Sequence, residues 1–284
     1  MILNILTKKK RKKTKQMKMP KQNIFNTTWA FIRFIFAWGL VVANAFILIF
    51  VPRRFSIRYM RFFMRQFNFI TGVRFKVNGK LTSKRPLLCV CNHISIFELA
   101  TMPVAFGCSF FGKKEISTWP LVGWIAKNFG VIFIDRRPSH AKDALNAIQN
   151  ELNHVDYPMF IFPEGTSTNG AYVKQFKSSL FDVVEKTGAT VQPVVIHYRL
   201  KDGTKISDED MANHFAYFDN KKMDCGPFCK RERSAFMQVF HVMVLGGFLV
   251  EIKVLPVPDL SGMNRKQMAD KLHEIISKEY MKNK

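Results

Sequence analysis

At 284 residues, 48% apolar and 23% charged, the chain carries too many core-forming side chains for a disordered polyelectrolyte, and it is long enough for one large domain or two modest ones. Forty-four Lys and Arg against 21 Asp and Glu give a net charge of +23. Five cysteines, an odd number, do not suit a disulfide framework, and Cys225-x-x-x-Cys229 lacks the second Cys/His pair that a structural zinc site requires, so no metal is expected.

The charge is uneven. Residues 1–97 hold no acidic side chain and 20 of the 44 bases, so a basic, aromatic front end precedes a body that is close to neutral. Residues 1–28 read as a mobile Lys-rich tail, with no helical apolar periodicity between Lys8 and Lys21. Residues 29–72 read as a membrane anchor. From Phe34 to Val51 run 18 residues in which Asn44 is the only strongly polar side chain, the lower end of the length for a membrane span. After Pro52, Arg54, Arg58, Arg61 and Arg65 recur on one helical face with Ile57, Met60, Phe62, Phe63, Met64 and Phe67 around them. That is the pattern of a helix lying in the headgroup layer. A core helix of a soluble protein fits the same apolar length. Ala43-Asn44-Ala45 resembles a signal-peptide cleavage site, although the apolar run continues for six residues beyond it. Basic residues flank the run on both sides, which suits a re-entrant or interfacial pair with both flanks cytoplasmic.

From 73 to 284 short apolar runs alternate with amphipathic helices. The predicted strands are Arg74–Val77, Leu87–Cys91, Cys108–Phe111, Val131–Ile134, Met159–Phe162, Val191–Ile196 and Leu249–Leu255. The predicted helices are Ser95–Phe106, Pro120–Asn128, Ser139–Asn153, Phe176–Lys186, Ser234–Leu245 and Asn264–Met281, and 201–233 reads as a polar insertion or long loop. This alternation implies an α/β domain, a largely parallel sheet flanked by helices, preceded by the membrane-embedded helix pair.

Functional groups in such sheets collect where strands end and helices begin. Asn92-His93-Ile94-Ser95-Ile96-Phe97-Glu98 follows one strand directly and can bring a carboxylate onto one imidazole nitrogen, leaving the other as a base. Ser95-x-x-Glu98 is also a capping box, which would occupy Glu98 with backbone N–H groups instead. Gly130-Val-Ile-Phe-Ile-Asp135-Arg136-Arg137 empties a second strand into charge. Phe162-Pro163-Glu164-Gly165-Thr166 follows a third, and its turn can present N–H groups to an anion, with Lys174 and Lys177 close behind to meet a phosphate.

Three such segments in order resemble the glycerolipid acyltransferases typified by bacterial 1-acylglycerol-3-phosphate acyltransferase. That family's N-H-x-x-x-x-D block is matched by Asn92, His93 and Glu98, with Glu for the usual Asp; G-x-x-F-I-D-R by Gly130, Phe133, Ile134, Asp135 and Arg136; and F-P-E-G-T by Phe162 to Thr166. The apolar segment Val191-Gln192-Pro193-Val194-Val195 resembles its fourth block. The resemblance implies a membrane-bound O-acyltransferase in which His93, oriented by Glu98, deprotonates a lysophospholipid hydroxyl that attacks an acyl thioester. The Gly165 turn would stabilise the oxyanion, and Arg136, Glu164, Gly165, Thr166, Lys174 and Lys177 would bind substrate. The acyl donor would be acyl-CoA or acyl carrier protein, with no other cofactor and no specific nucleic-acid partner. The expected location is a bacterial inner membrane, with the site on the cytoplasmic face. The acceptor implied is 1-acylglycerol-3-phosphate. Many members carry Arg where this chain has Ser167, which keeps open a different lysolipid such as a lyso-amino-acid (lyso-ornithine) lipid. A catalytically silent membrane scaffold is the reading from another class.

Overall fold

The computed structural model describes residues 23–119, 121–134, 141–216 and 234–284, with 141–144 by backbone alone. The tail before residue 23, the Asp135-Arg136-Arg137 trio, Cys225 and Cys229 lie outside the described residues.

The front end is two helices. α1 (Ile24–Leu48) starts at Asn23, whose side chain accepts the Asn26 N–H at 2.8 Å. It begins ten residues before the apolar run. Most of its large side chains are exposed, and the buried positions are small or polar: Ala30, Ala37, Asn44 and Ala45, followed by Leu48. Asn44 is turned inward, donating to Leu40 O and accepting the Tyr59 hydroxyl at 2.7 Å. α2 (Ser56–Thr71) ends at Gly72, which takes the left-handed conformation (φ 76°) that frees the chain to leave the helix. Its Arg54–Arg65 stripe, starting in the preceding turn, is exposed, while Met60 and Phe63 are buried.

The body alternates β1 (Arg74–Asn78), β2 (Leu87–Cys91), α3 (Glu98–Phe106), β3 (Ser109–Lys113), α4 (Val122–Asn128), β4 (Ile132–Ile134), α5 (Ala141–His154), β5 (Met159–Ile161), α6 (Asp182–Thr187), β6 (Thr190–Arg199), the single turn α7 (Asp208–Asp210), α8 (Ala235–Val244), β7 (Leu249–Val254) and α9 (Arg265–Asn283). All seven predicted strands form. The sheet order is β1-β7-β6-β2-β5-β3-β4, and only β6 and β7 pair antiparallel. β2, β5 and β4 therefore deliver their carboxyl ends to one edge of the sheet. The predicted Phe176–Lys186 helix divides into a 3₁₀ turn (Ser178–Phe181) and α6, and the α3 helix begins at Glu98 rather than Ser95.

α1 and α2 are packed into this body. Ala45, Leu48, Met60 and Phe63 belong to the same buried cluster as Leu88, Val90, Phe110 and Phe160 of the sheet. α8 extends that packing, with the Phe34 and Phe240 rings 5.5 Å apart edge to face and Trp38 4.7 Å from Phe236.

Candidate active site

β2 is buried at every position, which fixes where the chain emerges at Asn92. Asn92 locks that exit to β6: its amide donates to Ile196 O at 3.1 Å and its carbonyl accepts the Ile196 N–H at 2.8 Å. His93 follows. Its ring stacks on Phe162 (4.5 Å, 24°), and Phe162 stacks in turn on Phe110 (6.1 Å, 15°). Thr168 grips the His93 carbonyl from the next loop with its N–H (2.9 Å) and its hydroxyl (3.2 Å).

Glu98 is fully buried, and its Oε2 lies 3.4 Å from His93 Nδ1, ion-pair distance without the alignment of a formed hydrogen bond. The carboxylate also accepts Ser95 N–H at both oxygens (3.0 Å), Ile94 N–H (3.1 Å) and the Tyr198 hydroxyl (2.8 Å). The capping box itself does not form, since the helix starts after Phe97 with no side-chain cap; only its carboxylate half is present, in which the Ile94 and Ser95 N–H groups grip Glu98 from the loop while its Oε2 lies toward the imidazole. Burial first, then the Glu98 carboxylate, push the Tyr198 phenol well above its ordinary range, so the hydroxyl stays protonated and donates. Two residues before His93, burial likewise holds the Cys91 thiol well above its usual value, which leaves it unsuited to serve as a nucleophile.

Glu164, expected to bind substrate, is buried against the backbone of the His93 loop. It is 1% exposed, Oε1 accepts the His93 N–H at 2.6 Å and Oε2 accepts the Lys174 N–H at 2.8 Å, so it ties two loops together. Burial pushes its carboxyl up to about 8 against the pull of those two donors. Gly165 shapes the next turn. Its N–H closes the turn onto Phe162 O at 3.0 Å, and the glycine is required for its φ of 73°. Lys177 lies across that turn, since a Cβ added at Gly165 would stand 2.7 Å from Lys177 Nζ. Lys174 is exposed and enters the site region through its backbone. Thr166 is half-buried on the same turn. Arg136 lies outside the described residues.

The expected residues that the structure brings together are therefore His93 with Glu98, Glu164 with the His93 and Lys174 backbones, and Gly165 with Lys177. Sequence reasoning missed Tyr198 and Thr168, whose contacts span 100 and 75 residues of chain and leave no local pattern.

Phe110, at the far end of the His93–Phe162–Phe110 stack, lines an apolar cavity of about 300 Å³. It is walled by Phe34 and Trp38 of α1, Met60 and Phe67 of α2, Phe97 and Ala100 at α3, and side chains of α4, α8 and β3.

Residues 72–197 match the family model described as Acyltransferase. The chain is 35% identical over 145 residues to a lyso-ornithine lipid O-acyltransferase of Pseudomonas aeruginosa, covering 49% of this chain and 55% of that one. It is 28% identical over 127 residues to a 1-acyl-sn-glycerol-3-phosphate acyltransferase of Neisseria meningitidis, covering 45% and 50%. The chain spans about half the length of the curated relatives it matches. The crystal structure of a 1-acyl-sn-glycerophosphate acyltransferase from Thermotoga maritima has the same fold, with a TM-score of 0.58 at 17% identity over 92% of this chain and 95% of that one. The segment 72–197, which contains the His93, Glu98 and Glu164 loops, is thus the part of the chain that is similar to the acyltransferase family.

Proposed function

We propose that the chain is a membrane-bound O-acyltransferase that moves a fatty acyl group from a thioester to the free hydroxyl of a lysolipid. The observation that carries this reading is His93, 20% exposed at a strand end, with Nδ1 turned to a buried carboxylate and its ring joined through Phe162 to Phe110 in the wall of an apolar cavity. Glu98 holds the ring so that Nε2 takes the hydroxyl proton. The freed oxygen attacks the thioester carbonyl, the C–S bond breaks, and the proton returns from the imidazolium to the departing thiolate. Acyl-CoA or acyl carrier protein supplies the thioester, and these steps need no metal or redox cofactor. The acyl chain occupies the cavity. Lys177 and Thr166, on the turn of Gly165, face the acceptor's anionic group, with Arg136 as the further candidate for that role. We put the site at the cytoplasmic face of a bacterial inner membrane, a reading supported by the basic residues on both flanks of the apolar run.

For the acceptor we favour a lyso-ornithine lipid. Four relatives with 29–35% identity bear that activity in their names, and Ser167 stands where the glycerolipid pattern often has Arg. Lysophosphatidate, the acceptor implied by the motif blocks, is the second reading, supported by the 28% identical Neisseria relative. The test is purified full-length protein with labelled acyl thioester and separate lyso-ornithine lipid and lysophosphatidate. Acylated product is expected, fastest with lyso-ornithine lipid, and His93→Ala is expected to reduce it on the order of a hundred- to a thousand-fold. No product with either lysolipid, or an unchanged rate in His93→Ala, overturns the proposal.

A further inference from the structure

Outside the catalytic loops, three cations converge where α1, the α2–β1 junction and the β6–β7 connection meet. Arg33 of α1 donates through Nη2 to Ile70 O at the end of α2. A Cβ added at Gly72 would stand 3.2 Å from Arg33 Nη2 and 3.2 Å from Lys201 Nζ, so the two cationic nitrogens are at most twice that distance apart. Arg74, two residues on, is exposed beside them. Among the described residues none of the three has a carboxylate partner. Asp202, next to Lys201, accepts the Thr204 N–H, and Glu251, on the strand beside Arg74, pairs with Arg199. Burial, then Arg74 and Arg33, lower the Lys201 ammonium from its ordinary value, in keeping with charges that face one another without an anion.

Capping the α2 carbonyls would account for Arg33 alone. It leaves Lys201 and Arg74 without a purpose, and an arginine between Ile32 and Phe34 on an apolar helix calls for a counter-charge. The surroundings indicate which kind. Ile32 and Phe36, one residue before and one turn after Arg33, are 51% and 65% exposed, and Phe69, next to Ile70, is 86% exposed. An anion held here would have apolar side chains next to it. We infer that Arg33, Arg74 and Lys201 form a site for the phosphate of an anionic membrane phospholipid, whose acyl chains lie along the exposed faces of α1 and α2. The Arg guanidinium groups supply paired donors to phosphate oxygens and Lys201 a compact third charge. The site is independent of the acyl-transfer reading, because none of its residues lies on the His93 or Glu164 loops.

The experiment follows thermal unfolding of full-length protein in neutral detergent, titrated separately with phosphatidylglycerol, phosphatidylcholine and inorganic phosphate. Phosphatidylglycerol is expected to raise the midpoint well below the concentrations at which the other two act. Each cation near a lipid surface is worth about five-fold in affinity, so Arg33→Gln/Arg74→Gln/Lys201→Gln should weaken the phosphatidylglycerol response by roughly a hundred-fold. A control that removes as many charges elsewhere, Lys76→Gln/Lys80→Gln/Lys84→Gln, should keep it. Arg74→Gln alone, at an exposed position whose loss leaves the fold intact, should cost about five-fold. Retention of the full response in the triple variant or in Arg74→Gln, or an equal loss in the control, overturns the site. Saturation by inorganic phosphate with no further gain from phosphatidylglycerol overturns the lipid as its ligand.

Discussion

A carboxylate with no exposed surface has to be held by donors, and Glu98 is held by two backbone N–H groups, a phenol and the His93 ring. Hydrogen bonds to a charged group contribute about 1.5–3 kcal/mol each, so Tyr198 is a strong positioning partner for the longer Glu side chain that replaces the family's usual Asp. Tyr198→Phe keeps the ring packed on Phe248 (4.6 Å) and removes only the hydroxyl. Turnover is expected to fall about ten-fold or more, with acceptor KM little changed. In a Glu98→Gln background, itself slower on the order of a hundred- to a thousand-fold, the same substitution should add almost nothing, because the phenol acts through the carboxylate. Turnover of the four proteins, with circular dichroism to confirm folding, checks this; additive losses would assign Tyr198 a packing role only. Glu164 leads to a pH prediction. Its folded pKa of about 8 lies above the unfolded value near 4.5, so between these the folded state binds the extra proton and stability falls as pH rises, by up to about 1.4 kcal/mol per pH unit. Glu164→Gln should flatten the slope of unfolding free energy against pH between 5 and 8. It should also lower stability by about 1–3 kcal/mol, since its NH₂ faces one of two backbone donors. An unchanged slope would show that Glu164 stays ionised.

At the scale of elements, α1 is the one described helix long and apolar enough to cross a bilayer, and few of the residues in its apolar window are buried. Twenty-five residues rise about 37 Å, more than the roughly 30 Å hydrocarbon core. Its inward face is lined by alanines and Asn44, which let α2 and α8 approach closely, and its outward face is aromatic and aliphatic. Full-length protein should therefore stay with the membrane fraction after a carbonate wash, and release into the supernatant would reduce α1 and α2 to an electrostatic contact. Because Ala45, Leu48, Met60 and Phe63 belong to the core of the body, deleting 1–51 should not yield a soluble active enzyme but one that aggregates or melts well below the full chain. A monomeric, fully active truncated protein would show that α1 is separable from the body.

On the scale of the whole molecule, five strands running in parallel place the ends of β2 and β5 side by side, and this adjacency builds the site. The His93 loop and the Glu164 loop are 71 residues apart, yet one carboxylate bonds the backbone of both His93 and Lys174. The cavity is likewise collective, since α1, α2, α3, α4, α8 and β3 each contribute walls and no single element encloses it.

The sequence by itself determined the alternation of strands and helices, the basic front end and the loops after β2 and β5 that meet at the candidate site, because each is a local matter of hydrophobic period, charge and turn residues. His93 and Glu98 were legible together since five residues across a strand end and one helical turn confine them to the same corner. Tertiary structure alone decided what each group faces. Glu164 and Gly165 read as substrate contacts from their motif, whereas the bonds of Glu164 to the His93 and Lys174 backbones came only with the fold, since no spacing rule reveals which N–H a buried carboxylate will find. Tyr198 belongs to a strand buried at nearly every position, where alternation carries no information about which side chain meets the site. The pairing of α1 with α8, and the gathering of Arg33, Arg74 and Lys201 from three distant segments, follow from how apolar faces close over one sheet, and only the packed chain expresses that.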